Sequence, residues 1–208
     1  MTKLASSGVV AVQLPKLIAS DAAKWRAWLD EHHAVSDGVS LVLAKKGTTE
    51  PTSLSYDEAL EEALCYGWID GQVQRRDETT YRQRFTRRRS RSFWSKRNVG
   101  IVERLHVEGR MHPAGVAEVV RAKADGRWEA AYASPATIQV PPDFAGALAA
   151  EPRAQAMFEI ITAQNRYAVL YRIETAKRAD TRSRRIEQFV AMLARGETVH
   201  PQRRTLAD

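Results

Sequence analysis

Basic residues are concentrated in one segment of the sequence, which makes that segment the part of the chain best suited to bind a ligand. From Arg75 to Arg97 there are ten basic and two acidic residues, a local balance of +8. The rest of the 208-residue chain holds 22 basic and 23 acidic residues. A localised positive field attracts anions, and phosphates, nucleic acid and acidic lipid headgroups are its usual partners. We therefore predict that residues 75–97, called here the basic segment, bind an anionic ligand or partner.

Four aromatic residues, Tyr81, Phe85, Phe93 and Trp94, are interleaved with these basic residues. Basic groups that contact phosphates, together with rings that stack on bases, are typical of proteins that bind single-stranded nucleic acid. The alternation of residues over 79–87, however, puts Tyr81 and Phe85 on one face of a strand, as a hydrophobic core requires. A nucleic acid, a small anion or acidic protein partner, and a solvated face without a specific ligand all stay open.

Three residues that follow a predicted helix end form a second candidate site. Trp68, Asp70 and Gln72 come after Gly67, and loop residues of mixed polarity often line a cleft. Asp70 could form a bidentate ion pair with an arginine such as Arg84, or it could serve only to orient its loop. If these side chains converge with the basic segment, they would line a small-molecule pocket or the active site of an enzyme.

The short motif whose residue types best suit a binding site is Trp94-Ser95-Lys96-x-Asn98. Ser95 and Lys96 at a helix N-terminus would offer free N–H groups and a cation to an anion, although Ser95 could also be a plain helix cap. Ser–Lys pairs can act as nucleophile and base, but adjacent residues on a helix do not face each other. The candidate ligand-binding residues are Trp68, Asp70, Gln72, Tyr81, Arg84, Arg87, Trp94, Ser95, Lys96 and Asn98.

The sequence shows no metal-binding or cofactor-binding motif. Its five histidines do not form a ligand set, and Glu103 with His106 would supply only two ligands on one helix face. No glycine-rich phosphate-binding loop is present. We therefore expect no metal and no cofactor, and we favour a protein without enzymatic activity.

Cysteine use and hydropathy indicate a compartment. Cys65 is the only cysteine, which excludes an internal disulfide and suits a reducing environment. Its apolar neighbours predict a buried, unreactive thiol. No signal peptide is recognised in the first residues, and no apolar run reaches the roughly 20 residues that span a bilayer. We expect a cytoplasmic protein without a transmembrane segment.

The hydrophobic pattern predicts an α+β fold, with a small sheet packed by helices in the N-terminal part and an all-helical C-terminal part. Strands are expected over 9–14, 39–43 and 79–87, and residues 68–72 are read as a turn or the entry to a strand. Several helices have recognisable first residues. The predicted N-caps are Ser20 for a helix over 21–32, Ser55 in a capping box with Glu58, Ser95, and Thr181 for the last helix.

Proline content and the change of periodicity predict two domains. We expect an N-terminal domain over 9–130, a proline-rich linker over 134–142, a helical domain over 143–197 and a polar tail over 198–208.

Short motifs occur in a characteristic order along almost the whole chain. They include Trp25 to Leu29, Ser36-Asp37-Gly38, Ala63 to Asp70, Tyr81-x-x-Arg84-Phe85-Thr86, Trp94-Ser95-Lys96-x-Asn98, Glu108 to Gly115, Ala176-Lys177-Arg178, Thr181-Arg182 and Arg184-Arg185-Ile186. Over roughly residues 20–197 this set resembles the YdeI/OmpD-associated proteins, also called bacteriocin-protection proteins. The resemblance implies a role in resistance to bacteriocins or cationic antimicrobial peptides and, by name, an association with an outer-membrane porin. It implies no reaction, cofactor or active site.

Overall fold

The structure, a computed structural model, describes residues 14–206 and divides into two compact units. Among the described residues, the first unit contains 14–92 and 101–122, and the second contains 93–100 and 123–206. In chain order the elements are β1 (Lys16–Leu17), α1 (Ala22–His32), β2 (Val39–Ala44), α2 (Tyr56–Cys65), β3 (Trp68–Arg75), β4 (Thr80–Arg87), α3 (Lys96–Val107), α4 (Pro113–Ala124), α5 (Pro142–Ala149), α6 (Pro152–Ile160), α7 (Ala163–Glu174) and α8 (Ala179–Ala194).

The first unit is built on a four-stranded sheet with the order β1-β2-β4-β3. β1 pairs with β2 in parallel, whereas β2 and β3 both pair with β4 in an antiparallel arrangement. One face of the sheet is largely apolar because Val39 and Leu41 of β2 are buried there, together with Phe85 of β4, which pairs with Val39. Trp25 of α1 packs on Phe85 with ring centroids 5.7 Å apart. Together these contacts form the core of the first unit.

The second unit has a helical core formed by α5 to α8. Its largest buried side chains include Phe144, Phe158, Leu170 and Leu193. The rings of Phe144 and Phe158 meet edge to face, with centroids 5.4 Å apart, which is a favoured aromatic geometry. The small sheet of the first unit and these helices confirm the predicted α+β fold, with helices alone in the C-terminal part.

Several predicted element ends are confirmed and others are wrong. The capping box of Ser55 and Glu58 is present at the start of α2. The cap of α1 is Asp21 instead of Ser20, because Asp21 has an extended backbone and its carboxylate accepts the Lys24 N–H at 2.9 Å. Ser20 instead donates its hydroxyl to Asp21. The helix therefore begins one residue later than predicted, and the residue immediately before it caps it.

Three other predicted elements also differ from the structure or fall outside its described residues. The last helix, α8, begins at Ala179 with Arg178 at its N-cap, so Thr181 lies inside the first turn. Residues 68–75 form a full strand, because they pair with β4 along its length. Most of the strand predicted over 9–14 falls outside the described residues, and Leu14 itself is not in a strand.

Candidate anion-binding site

A cleft of about 680 Å³ opens in the first unit, and arginines dominate its polar lining. It is called here the arginine cleft. Its lining residues are Leu14, His33, Ala34, Asp37, Tyr66, Gly67, Arg84, Thr86, Arg87, Arg88, Arg89, Ala114 and Glu118. The volume lies within the roughly 300–1,000 Å³ that small-molecule sites occupy.

The four arginines of the cleft come from the end of β4 and the residues after it. The side chain of Arg84 lies on the face of β4 opposite the buried Phe85, because neighbouring residues of a strand point to opposite faces. The chain then leaves the strand, and the Arg88 N–H donates to the Gly67 carbonyl at 3.1 Å. This bond fixes the backbone that carries Arg88 and Arg89 beside the end of α2.

Two carboxylates also line the cleft. Arg87 donates one guanidinium N–H to Asp37 at 3.0 Å and another to the Ala34 carbonyl at 2.9 Å. Glu118 accepts a hydrogen bond from Arg121 at 2.7 Å. Within residues 14–206, the guanidinium groups of Arg84 and Arg89 have no carboxylate at ion-pair distance, and both residues are exposed. The cleft therefore keeps positive charge that the protein itself does not neutralise.

His33 and Tyr66 form another wall of the cleft, and the His112 ring packs against both. The His33 Nδ1–H donates to the Leu29 carbonyl at 2.8 Å, which leaves Nε2 as the other ring nitrogen. The His33 and His112 rings are 4.6 Å apart, and the Tyr66 ring stacks on His112 at 4.7 Å. Burial, followed by the hydrogen bond that Tyr66 donates to Asp30, raises the pKa of the phenol. Burial and the nearby His33 lower the pKa of His112. The Tyr66 phenol and the His112 ring are therefore uncharged near neutral pH.

The residues predicted near Trp68 have mainly packing roles. Trp68 is fully buried, lies edge-on to Trp25 with ring centroids 6.3 Å apart, and donates its Nε1–H to the His33 carbonyl at 3.2 Å. Asp70 accepts a hydrogen bond from the Tyr56 hydroxyl at 3.0 Å.

Of the two alternatives considered for Asp70, the ion pair with Arg84 is not formed. Asp70 pairs with Phe85 across the ladder, so the side chain of Asp70 faces away from that of Arg84. Gln72 is exposed on the edge strand β3, at its register shift, and Tyr81 is half-buried on β4. Of the predicted candidates, only Arg84 and Arg87 line the arginine cleft.

The motif around Ser95 belongs to the second unit. Trp94 is buried and packs on Trp128 with ring centroids 4.8 Å apart. Ser95 accepts the N–H of Asn98, a buried residue, at 3.1 Å, which confirms the predicted cap. The Lys96 N–H donates to the Tyr132 carbonyl at 2.9 Å, and the Lys96 ammonium lies 3.9 Å from Glu174. The N–H groups of Lys96 and Asn98 at this helix end are therefore already satisfied.

The basic segment is not one continuous positive surface. At the turn between β3 and β4, Arg75 pairs with Glu78 at 3.1 Å and Arg76 with Asp77 at 3.5 Å, so both arginines of this hairpin tip are already paired with a carboxylate. The buried rings of the segment, such as Phe85, belong to cores and cannot stack on a base. Both observations weaken the parallel with single-strand binding proteins.

Sequence reasoning missed several residues of the cleft, among them His33, Asp37, Gly67 and Glu118. His33 and Asp37 lie in the loop between α1 and β2, Gly67 follows α2 and Glu118 lies on α4, and no spacing rule links all four. Arg88 and Arg89 were noted only as members of the basic segment. The charge count was the one signal that pointed to this region.

No helix within the described part of the chain is long and apolar enough to cross a membrane. Among residues 14–206, no group of three or more histidine, cysteine, aspartate or glutamate side chains is arranged to hold a metal ion.

Comparison with known protein families separates the two parts of the chain. Residues 17–118, which supply most of the cleft, match a family described as "Domain of unknown function (DUF8412)". Residues 137–196 match the family described as "Bacteriocin-protection, YdeI or OmpD-Associated". No curated protein and no solved structure matches the chain. The resemblance predicted from the motifs is thus confirmed for the C-terminal helices, while the N-terminal motifs fall in the other domain. Over residues 137–196, the chain is therefore similar to the bacteriocin-protection, YdeI or OmpD-associated family.

Proposed function

We propose that this protein binds an anionic partner in the arginine cleft and acts, without catalysis, as a cytoplasmic protection protein against bacteriocins or other antimicrobial peptides. The observation that carries the proposal is the convergence of Arg84, Arg87, Arg88 and Arg89 on one cavity. The description of the family matched by residues 137–196 supplies the protective role.

The ion pairs of the individual arginines support the proposal that an anion binds at the cleft and not elsewhere on the basic segment. Arg75 and Arg76 are balanced by neighbouring carboxylates at the hairpin tip, whereas Arg84 and Arg89 are exposed without such partners among the described residues. Exposed ion pairs contribute little free energy and their charges cancel at a distance. An incoming anion therefore gains most where the guanidinium groups are still unneutralised.

The positive charge of the cleft also bears on how the protein would protect a cell. A cationic peptide is repelled by a cavity lined with four arginines. Protection would therefore come through an anionic partner, and not through capture of the cationic peptide in this cleft.

Binding is tested by fluorescence anisotropy with two labelled anions, an oligoglutamate and an oligothymidylate, at about 50 and 200 mM salt. We expect the chain to bind at least one probe and the double variant Arg84→Gln/Arg89→Gln to bind it at least about tenfold more weakly, since hydrogen bonds to charged groups contribute about 1.5–3 kcal/mol each. The control is Arg75→Gln/Arg91→Gln, which removes the same charge outside the cleft lining.

The two variants separate a local site from a general charge effect. Equal losses in both variants would mean that only net charge matters, and unchanged binding in the cleft variant would refute the cleft. The protective role is tested by the survival of bacteria that make the intact chain or the cleft variant and are exposed to a bacteriocin. Equal survival of cells with the chain and cells without it would refute that role.

A further inference from the structure

We infer that the arginine cleft takes one compact oxyanion, the phosphate monoester or diphosphate group of a small molecule, in preference to a polyanionic chain. This inference rests on the proposed function and specifies its ligand. Three features of the cleft support it: the chemistry of its donors, its size, and the charges at its walls.

The donors suit a phosphate group. Arg84 and Arg89 each present a planar guanidinium fork, and such forks bind two oxygens of a phosphate at once. A phosphate monoester offers three terminal oxygens to these forks. Arg87 already directs two of its N–H groups to Ala34 and Asp37, and the Asp37 carboxylate offsets its charge, so Arg84 and Arg89 supply the free positive charge of the site.

The size of the cleft suits a small molecule. Its volume of about 680 Å³ accommodates a phosphate group with a modest organic body. His33, Tyr66 and Ala114 line the same cavity, so part of its wall can contact an organic body beside the phosphate. The Tyr66 hydroxyl already donates its hydrogen to Asp30, so it is not available to donate a hydrogen bond to the phosphate.

The surroundings disfavour a longer polyanion. Single-stranded nucleic acid is bound along a basic groove that follows about 4–16 nucleotides. Here the carboxylates of Asp37 and Glu118 lie at the cleft itself, and the side chain of Asp37 is 90% exposed. At the turn between β3 and β4, Arg75 and Arg76 are each paired with a carboxylate. Phosphates on either side of a central one would therefore meet the carboxylates at the cleft or arginines that are already paired with a carboxylate.

The inference is tested by isothermal titration calorimetry of the full chain with inorganic pyrophosphate, inorganic phosphate and sulfate, together with the oligothymidylate probe. We expect pyrophosphate to bind more tightly than sulfate and to compete with any oligothymidylate that binds. The Arg84→Gln/Arg89→Gln variant should lose at least about tenfold in pyrophosphate affinity, and the Arg75→Gln/Arg91→Gln control less than about twofold. Both pairs are exposed, and matching thermal unfolding curves would show that the variants are folded.

The possible outcomes distinguish a failure of the compact-oxyanion inference from a failure of the proposed function. If a polymeric probe binds through the cleft and pyrophosphate does not bind, the compact-oxyanion inference is wrong and the proposed function stands. If no anion binds, or all anions bind equally well to the cleft variant, both are wrong. Pyrophosphate affinity that falls equally in the control would also overturn the inference, since the anion would then bind outside the cleft.

Discussion

At the scale of single residues, the basic segment shows that a charge count and a charge surface are different things. Arg75, Arg76 and Arg87 are each within ion-pair distance of a carboxylate, while Arg84 and Arg89 are exposed without one among the described residues. The ten basic residues therefore contribute unequally to the field. Ligand binding should depend on the few arginines that line the cleft.

One residue at the hairpin turn gives a pH-dependent prediction. The hydroxyl and N–H of Thr80, together with those of Thr79, hydrogen-bond to the Asp77 carboxylate and lower its pKa to about 2. Because the folded pKa lies below the unfolded value of about 3.9, this contribution to stability is complete above about pH 4 and is lost as the pH falls towards 2. The amide NMR signal of Thr80 should shift over that range in the native chain and stay constant in Asp77→Asn. A shift centred near pH 4 in the native chain would contradict the bonded carboxylate.

At the scale of elements, a glycine sets how closely α4 approaches α2. A Cβ atom at Gly115 would lie 2.1 Å from the Cys65 carbonyl oxygen, so only glycine fits at this crossing. The approach also lets the His112 N–H donate to the same carbonyl at 3.1 Å. Because α4 carries Ala114 and Glu118, the crossing helps to shape the cleft.

The close contact between α4 and α2 predicts that Gly115→Ala lowers the stability of the protein strongly. The added methyl group meets backbone atoms that cannot move aside cheaply, so we expect a loss of about 3 kcal/mol or more in the free energy of unfolding, measured with urea. Gly100→Ala is the matched control, because nothing lies within 4 Å of its Cβ position in α3. There the better helix propensity of alanine should leave stability unchanged or raise it by up to about 1 kcal/mol. Similar stabilities for the two variants would contradict the close crossing.

At the scale of the whole molecule, the reactivity of the Cys65 thiol measures how often the part of the protein that buries it unfolds. Cys65 is fully buried at the end of α2, and burial raises the pKa of its thiol. Both effects suppress attack by the thiolate, which is the reactive form. The native chain should therefore react with a disulfide reagent such as DTNB only at the rate at which its first unit unfolds, and rapidly in urea. Gly115→Ala should react faster than Gly100→Ala, whereas prompt reaction of the native chain would show that this part of the core opens easily.

Much of the fold was predictable because its signals are local. The capping box of Ser55 and Glu58, the alternation along β4 and the Ser95 cap each depend on residues within a few positions of one another. Such patterns reflect backbone geometry that short stretches impose on themselves. The extension of β3 to Arg75 was not predictable in this way, because its exposed residues are held in a strand by pairing with β4.

The sequence by itself determined the α+β class, the place of the excess positive charge, and the resemblance that residues 137–196 bear to a bacteriocin-protection family. Only the tertiary structure decided which charges act together. It buried Trp68 and Trp94 in cores, turned Asp70 away from Arg84, and brought His33 and Glu118 to the cleft of Arg84 and Arg89. The physical reason is that a site is made by side chains distant in sequence, whose meeting depends on strand register and helix packing across the whole unit.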